Sequence, residues 1–282
     1  MLRVIQPAAL MLVQDAGRFE HMSQGIPVAG AFDLGAFGRA NRLVGNAPDG
    51  PVLEILGGNA VFEAEESGYV TITGFSAPVT IGSSHFYTNE LLFIKQGERL
   101  ELGMPVDGAR GYLAIRGGIA TKPILGSASR DILSDIGPEP LAKDDVLTAG
   151  EWAVEWSPSV STVPNYSAST TGLAAVLGPR DDWFEVEDLF NQEFTVEAAS
   201  NRIGIRLKAE HPIHYKELHS LPSEGIVRGS IQVPPDGNPV IFGPDHPITG
   251  GYPVIAVLTP ESCDLSAQLL PGEKIHFIKF CT

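Results

Sequence analysis

The chain has 282 residues, of which 34 are Asp or Glu and 19 are Lys or Arg, giving a formal net charge of −15 at pH 7. That charge repels phosphate, which excludes unaided binding to nucleic acid or to an anionic membrane surface. Hydrophobic residues make up 43% and charged residues 19%, a balance that supports a packed core and argues against a disordered chain.

No run approaches the ~20 apolar residues of a membrane span. The N-terminus carries Arg3 without an apolar stretch behind it, so a cytoplasmic protein with no signal peptide is expected. The 31 glycines and 22 prolines follow no three-residue period and read as tight turns between short strands. Strand-like runs, short and rich in β-branched or aromatic residues, fall at 10–14, 52–56, 61–64, 69–73, 79–81, 91–94, 99–102 and 112–115. A second series follows at 173–177, 194–196, 202–207, 231–233, 240–242, 254–258 and 274–280. Three helices interrupt them. Asp33 caps the first, which runs over 34–44 with Leu34, Phe37, Ala40 and Val44 at helical spacing and Gly45 behind it. The second spans 181–190, with acids in its first turn, and the third spans 261–270, stopped by Pro271-Gly272. Between the two strand series, "SPSVSTVPNYSASTT" at 157–171 is either a linker or a long surface connection. The expected organisation is therefore mainly β: an N-terminal β subdomain over 1–160 and a C-terminal one over 172–282, or one continuous domain.

The chain contains no P-loop, no dinucleotide-binding G-x-G-x-x-G, no G-x-S-x-G elbow and no H-E-x-x-H. "EHPIHYKELH" groups His211, His214 and His219, but Pro212 disfavours the helix that would align them, and a solvated polar loop is the preferred reading over a metal site. Cys263 and Cys281 read as two reduced structural thiols; a nucleophilic role would need a converging His and carboxylate. Three glycine-flanked polar clusters remain. The first, "MLVQDAGRFEHMSQGIPVAGAFD", supplies Gln14, Asp15, Arg18 and His21, with Asn41 and Glu54 following. In the second, "SNRIGIRL", Arg202, Gly204 and Arg206 would share one face of a strand, so that two guanidiniums approach one anion. The third, "SEGIVRGSIQVPPDGNPVIF" with "DHPITGGYP", supplies Glu224, Arg228, Gln232, Asp236, Asp245 and Tyr252. Each cluster also has a plain alternative: Asp15 and Arg18 pairing across a turn, the arginines pairing with surface acids, "PPDG" serving only as a turn.

These stretches, together with "LEILGGNAVFEA", "GYLAIRGGIATKPILGSAS", "VLGPRDDWF" and "TGGYPVIAVL", resemble the carboxyltransferase subdomain A/B family over nearly the whole chain. The family includes allophanate hydrolase subunit 2, the C-type subunit of 5-oxoprolinase and the antagonist of a sporulation-kinase inhibitor. After "LGSAS" the family usually continues with a Thr-Tyr-like run, where this chain has Arg130-Asp131. The resemblance implies a cyclophilin-like β-barrel architecture, without implying prolyl isomerase activity. It also implies a B-type partner subunit similar to allophanate hydrolase subunit 1.

The leading function it implies is a subunit of an ATP-dependent 5-oxoprolinase, a hydrolase that opens the lactam of 5-oxoproline to glutamate. In that reading Asp15, Arg18, Arg202 and Glu224 are catalytic, and Gln14, Asn41, Arg206, Gln232 and Tyr252 bind substrate. Arg202 and Arg206 would hold a carboxylate or a phosphate, Asp15 or Glu224 would take a proton or hold Mg²⁺, and Gln232 and Tyr252 would orient the carbonyl. ATP with Mg²⁺ would act through the complex. Two alternatives stand beside it. One is biotin-dependent carboxyl transfer to urea or a related amide, with biotin arriving on a companion chain, since no Met-Lys-Met attachment segment is present. The other is a non-catalytic antagonist that binds a kinase inhibitor. Allophanate hydrolysis by this chain alone has the least support, because no Ser-Ser-Lys arrangement is present.

Overall fold

The computed structural model describes residues 1–158, 172–216 and 221–280. Most of the 157–171 segment, His219 and Cys281 lie outside the described residues. The chain is mainly β, with three short α-helices among the described residues. It divides into two units. One comprises Met1–Arg18, Asp33–Arg130 and the described part of Asp135–Ala168. The other comprises Phe19–Phe32, Asp131–Ser134 and the described part of Ser169–Thr282.

The first unit is built on two antiparallel sheets. Six strands run in the order Val146–Leu147, Leu2–Gln6, Ala60–Ala64, Arg99–Leu102, Pro78–Ile81, Ser84–Tyr87; five run in the order Leu10–Gln14, Val52–Leu56, Asp107–Ile115, Gly68–Ser76, Leu92–Ile94. Alternate residues of both sheets, among them Val4, Phe62, Leu100, Ile55, Ile72 and Leu113, share one hydrophobic core. The five-stranded sheet is covered on its other face by the helix Leu34–Val44, which explains why Val52–Leu56 is buried almost throughout instead of alternating. The helix forms as the sequence predicts. Asp33 is extended and its carboxylate accepts from Ala36 N at 2.7 Å, while Gly45 closes the helix at φ 68°. Buried polar groups tie it to the sheet: Thr73 Oγ1 donates to Ala36 O, and Tyr112 Oη accepts from Asp33 N and donates to Glu54. Burial, reinforced by Glu54 and Asp33, pushes the Tyr112 phenol well above its usual range and keeps it a donor.

The second unit is a closed seven-stranded barrel, in the order Gly172–Leu177, Val254–Leu258, Ser230–Gln232, Val240–Phe242, Gly204–Ala209, Phe194–Val196, Lys274–Lys279. Neighbours are antiparallel except where Lys274–Lys279 meets Gly172–Leu177 in parallel and closes the ring. Phe194, Phe277, Ile231, Ile241 and Ile255 fill its core. Two helices differ from the sequence expectation. The 181–190 segment breaks into a single 3₁₀ turn, Asp181–Trp183, and a short helix, Glu187–Phe190. Phe184 between them is extended (φ −125°, ψ 159°), bridges to Tyr215 and is fully buried, so burying its ring overrides the local helical preference. The last helix is Pro260–Ser266, capped by Thr259, and residues 267–269 follow with i→i−3 bonds that tighten it out of α geometry. Strands absent from the sequence reading, such as Leu2–Gln6 and Ser84–Tyr87, are short or interrupted by polar residues.

One cross-strand pair sets the geometry of the five-stranded sheet. Gly74 faces Gly111, and the ladder shifts register between Asp107 and Gly111. A Cβ on Gly74 (φ +95°) would stand 2.3 Å from Arg110 O, and one on Gly111 would stand 2.4 Å from Phe75 Cζ. Gly74→Ala is therefore expected to destabilise the protein by about 3 kcal/mol or more. Gly57→Ala, at φ +72° but facing open space, is expected to cost only about 1 kcal/mol. Urea unfolding followed by circular dichroism checks this, and equal costs would refute the steric account.

Candidate functional site

The opening motif follows the strand Leu10–Gln14; its Gln14, Asp15 and Arg18 side chains are turned onto backbone and serine groups of the same unit, while His21 belongs to the barrel unit, its Nδ1 3.3 Å from Gln24 Nε2. Asp15 accepts from Ser127 Oγ (2.7 Å), Ala128 N (2.6 Å), Gly17 N (2.8 Å) and Ser129 Oγ. Arg18, fully buried, donates to Ile124 O and Ser129 O at 3.0 and 2.8 Å, and Gln14 Nε2 donates to Arg130 O. These three residues pin one segment, 124–130, from more than 100 positions away in sequence. Asn41 donates to Gly50 O and accepts from Asn46, holding the turn after the helix. With four donors around it, the Asp15 carboxylate has the environment of a turn clamp, not that of a cation site.

In the barrel unit, Arg202 does not share a face with Arg206 as the sequence suggests. The strand begins only at Gly204; the preceding turn is held by Asn201, whose side-chain oxygen accepts from Ile203 N and Gly204 N. Strand alternation therefore does not reach back to 202. Arg202 turns inward to 2% exposure and grips Asp245 with two bonds, Nε to Oδ2 at 2.8 Å and Nη2 to Oδ1 at 2.7 Å, and also donates to Gly30 O at 2.7 Å. Asp245 Oδ2 accepts further from Ile132 N. Burial pushes the Asp245 carboxyl above the usual carboxylate range, and the Arg202 guanidinium opposes that shift.

Arg206 instead points outward into a cleft of about 230 Å³ lined by Asn201, Ile203, Gly204, Arg206, Gln232, Pro234, Val240, Phe242 and Tyr252. The cleft follows from register. Arg206 pairs with Val240, and Val240 pairs with Gln232, so the three side chains form one row across three strands. Inward residues Ile205, Ile231 and Ile241 fill the core, which leaves the outward row to line the cleft. Neighbouring strands lie about 4.8 Å apart, so Arg206 and Gln232 flank a gap of about 10 Å at the backbone. Gln232 Nε2 donates to Tyr252 O at 2.6 Å, anchoring the segment that carries the half-exposed Tyr252 ring at the mouth. Thus the structure brings together Arg206, Gln232 and Tyr252, and adds Asn201, which the sequence reading overlooks because "SNRIG" presents it as a turn residue.

The other polar residues of the third cluster disperse. Glu224 forms a two-pronged ion pair with Arg180, which lies against Trp183. Arg228 donates to Phe32 O and Asp264, and Asp236 takes up the Asn238 amide. His214 Nδ1 lies 2.9 Å from Asp188, and among the described residues no group of three His, Cys, Asp or Glu is arranged to hold a metal ion. Cys263 is 6% exposed, and burial pushes its thiol up to about 11.

Two outcomes are expected. Arg202→Ala leaves a buried, unpaired carboxylate and should cost about 3–5 kcal/mol in urea unfolding; a loss below about 1 kcal/mol would show that the pair does not hold the unit together. Cys263 should resist iodoacetamide at pH 8 in the folded protein and react in denaturant, with the native rate rising only as pH climbs toward about 11 and thiolate forms. Peptide mass spectrometry reads both states, and rapid native labelling of Cys263 would refute the assignment.

The family model described as carboxyltransferase domain, subdomain A and B, matches residues 24–279. The C-type subunit of the 5-oxoprolinase of Escherichia coli (strain K12) is 32% identical over 296 residues, an alignment that covers 99% of this chain and 91% of that protein. The urea amidolyase of Saccharomyces cerevisiae is 30% identical over 307 residues, covering 98% of this chain but only 16% of the longer protein. Among solved structures, that of TTHA0988 superposes with a TM-score of 0.88 at 31% identity, covering 98% of this chain and 55% of the other. No helix among the described residues is long and apolar enough to cross a membrane. With nine-tenths of its length inside the family match and a like-folded relative, the chain belongs to the carboxyltransferase domain family, subdomain A and B.

Proposed function

We propose that the protein works as one subunit of an ATP-dependent 5-oxoprolinase, a complex that opens the lactam of 5-oxoproline to glutamate. The observation that carries this reading is the end-to-end correspondence with the C-type subunit of a 5-oxoprolinase, 99% of one chain against 91% of the other. The urea amidolyase match involves a small part of a much longer protein, which favours carboxyl transfer to urea less. A relative that is itself one lettered member of a complex points to companion chains, and a B-type subunit is the partner proposed.

The reaction adds water to the lactam carbon, breaks the ring C–N bond and releases the nitrogen, protonated, as the α-amine of glutamate. An amide is a poor electrophile, so the protein's contribution is to position the ring and to stabilise charge on the carbonyl oxygen. ATP supplies the driving force for the complex. The two longer helices do not offer a triphosphate their N-termini. The start of Leu34–Val44 is occupied by the Asp33 carboxylate, and the start of Pro260–Ser266 by Thr259 beside Glu261, so both present oxygen acceptors where phosphate needs donors. Nor does Mg²⁺ fit at Asp15 or Glu224, whose oxygens are engaged by hydroxyl and N–H donors or by the Arg180 guanidinium. ATP and its metal are therefore assigned to a companion subunit, and this chain to substrate handling.

The test is glutamate release from 5-oxoproline by the co-purified complex. ATP-dependent release that falls to background when this chain is omitted is the expected outcome. An inactive complete complex, or activity unchanged by the omission, would overturn the proposal.

A further inference from the structure

We infer that the cleft on the outer face of the barrel is a binding subsite for a small cyclic amide bearing a carboxylate, with Arg206 holding the carboxylate. The identification of the ligand as 5-oxoproline rests on the function proposed above; the carboxylate-and-amide chemistry rests on the cleft alone.

The first argument is electrostatic. In a chain of net charge −15, cations readily find acids. The other arginines of the barrel unit have done so: Arg180 with Glu224, Arg202 with Asp245, Arg228 with Asp264. Arg206 alone among them has no acid partner or side-chain hydrogen bond among the described residues, and it lines a cleft. A guanidinium with its fork open toward a concave surface fits a carboxylate in two-pronged geometry.

The second argument is the composition of the remaining walls. Across the row from Arg206, the Gln232 amide nitrogen is already bound to Tyr252 O, which leaves its carbonyl oxygen as an acceptor for a ligand N–H. The Tyr252 hydroxyl and the Asn201 amide nitrogen have no partner among the described residues and can donate to a ligand carbonyl. Between these polar ends lie Val240 and Phe242, with Gly204 opposite Phe242. A Cβ on Gly204 would stand 2.8 Å from Val240 Cγ1, so glycine keeps that part of the floor flat and apolar. In 5-oxoproline the carboxylate sits on the ring carbon beside the N–H, the carbonyl lies on the far side of that nitrogen, and the two methylenes form the opposite edge of the ring, so a carboxylate on Arg206 leaves a polar N–H and C=O edge for Gln232 and Tyr252 and an apolar edge for Val240 and Phe242. At about 230 Å³ the space is below the ~300 Å³ lower bound of drug-sized pockets and suits a single-ring metabolite.

The test measures binding separately from turnover. Isothermal titration of the full chain, alone and in the reconstituted complex, uses 5-oxoproline, 2-pyrrolidinone (lactam without carboxylate) and cyclopentanecarboxylate (carboxylate without lactam). The expected result is that 5-oxoproline binds at least tenfold more tightly than either fragment. Arg206→Gln should weaken 5-oxoproline at least tenfold while leaving 2-pyrrolidinone unchanged, and Tyr252→Phe should weaken 5-oxoproline and 2-pyrrolidinone alike. Arg206 and Tyr252 are surface residues, so thermal unfolding of both variants should match the parent. Equal affinity for 5-oxoproline and 2-pyrrolidinone, or affinity untouched by Arg206→Gln in a complex that still turns over, would overturn the subsite and leave the proposed function standing. Arg206-dependent binding of 5-oxoproline in a complete complex that releases no glutamate would do the reverse.

Discussion

The barrel unit depends on one buried ion pair. Its three stretches of chain are distant in sequence, and the Arg202–Asp245 fork touches each of them: Arg202 and Asp245 come from the C-terminal stretch, Gly30 O from the first, Ile132 N from the second. Bringing a guanidinium and a carboxylate out of water is costly, and attraction offsets that cost only where the remaining donors and acceptors are also satisfied. Here the two carboxylate oxygens take the fork and one backbone N–H, while the guanidinium also meets a backbone carbonyl. Gly243 makes the approach feasible, since a Cβ there would stand 2.2 Å from Arg202 O.

The cleft follows from where the neighbouring strand begins. The Asn201 turn ends at Gly204, and period-2 alternation from there sends Ile205 and Leu207 into the core and Arg206 outward. A one-residue slip of the strand's pairing with Val240–Phe242 would have reversed every assignment. The register with Val240 and Gln232 carries the choice across to the neighbouring strands.

Much of the architecture is legible wherever local chemistry and tertiary context agree. Asp33 and Gly45 bracket the first helix as capping rules require, and the apolar runs 52–56, 194–196 and 240–242 form strands with those same bounds. The site is less legible because its logic is non-local. Asp15 reads as a reactive acid, but its partners Ser127, Ala128 and Ser129 lie more than 110 residues away. Arg202 and Arg206 are indistinguishable by residue type, and only burial separates a structural guanidinium from an available one. Phe184 breaks a helix that its acidic neighbours favour, since its ring has a core to fill. Of the polar residues picked from motifs, Arg206 and Gln232 line the cleft because they take outward positions on strands that share Val240 as a neighbour, and Tyr252 joins them from the loop that Gln232 anchors, properties that need strand pairing to be known.

The way the barrel unit draws on the chain has a consequence for synthesis and dissection. Residues 19–32 and 131–134 emerge from the ribosome well before 202 and 245, yet their partners in the fork do not exist until the C-terminal stretch is made. Until then Gly30 O and Ile132 N lack the partners that the finished structure gives them. A fragment cut at the apparent boundary near 172 would contain all seven barrel strands and both charges of the fork, but neither of the backbone groups that complete its hydrogen bonding. The barrel unit therefore includes two short stretches that a cut near 172 leaves behind, 19–32 and 131–134.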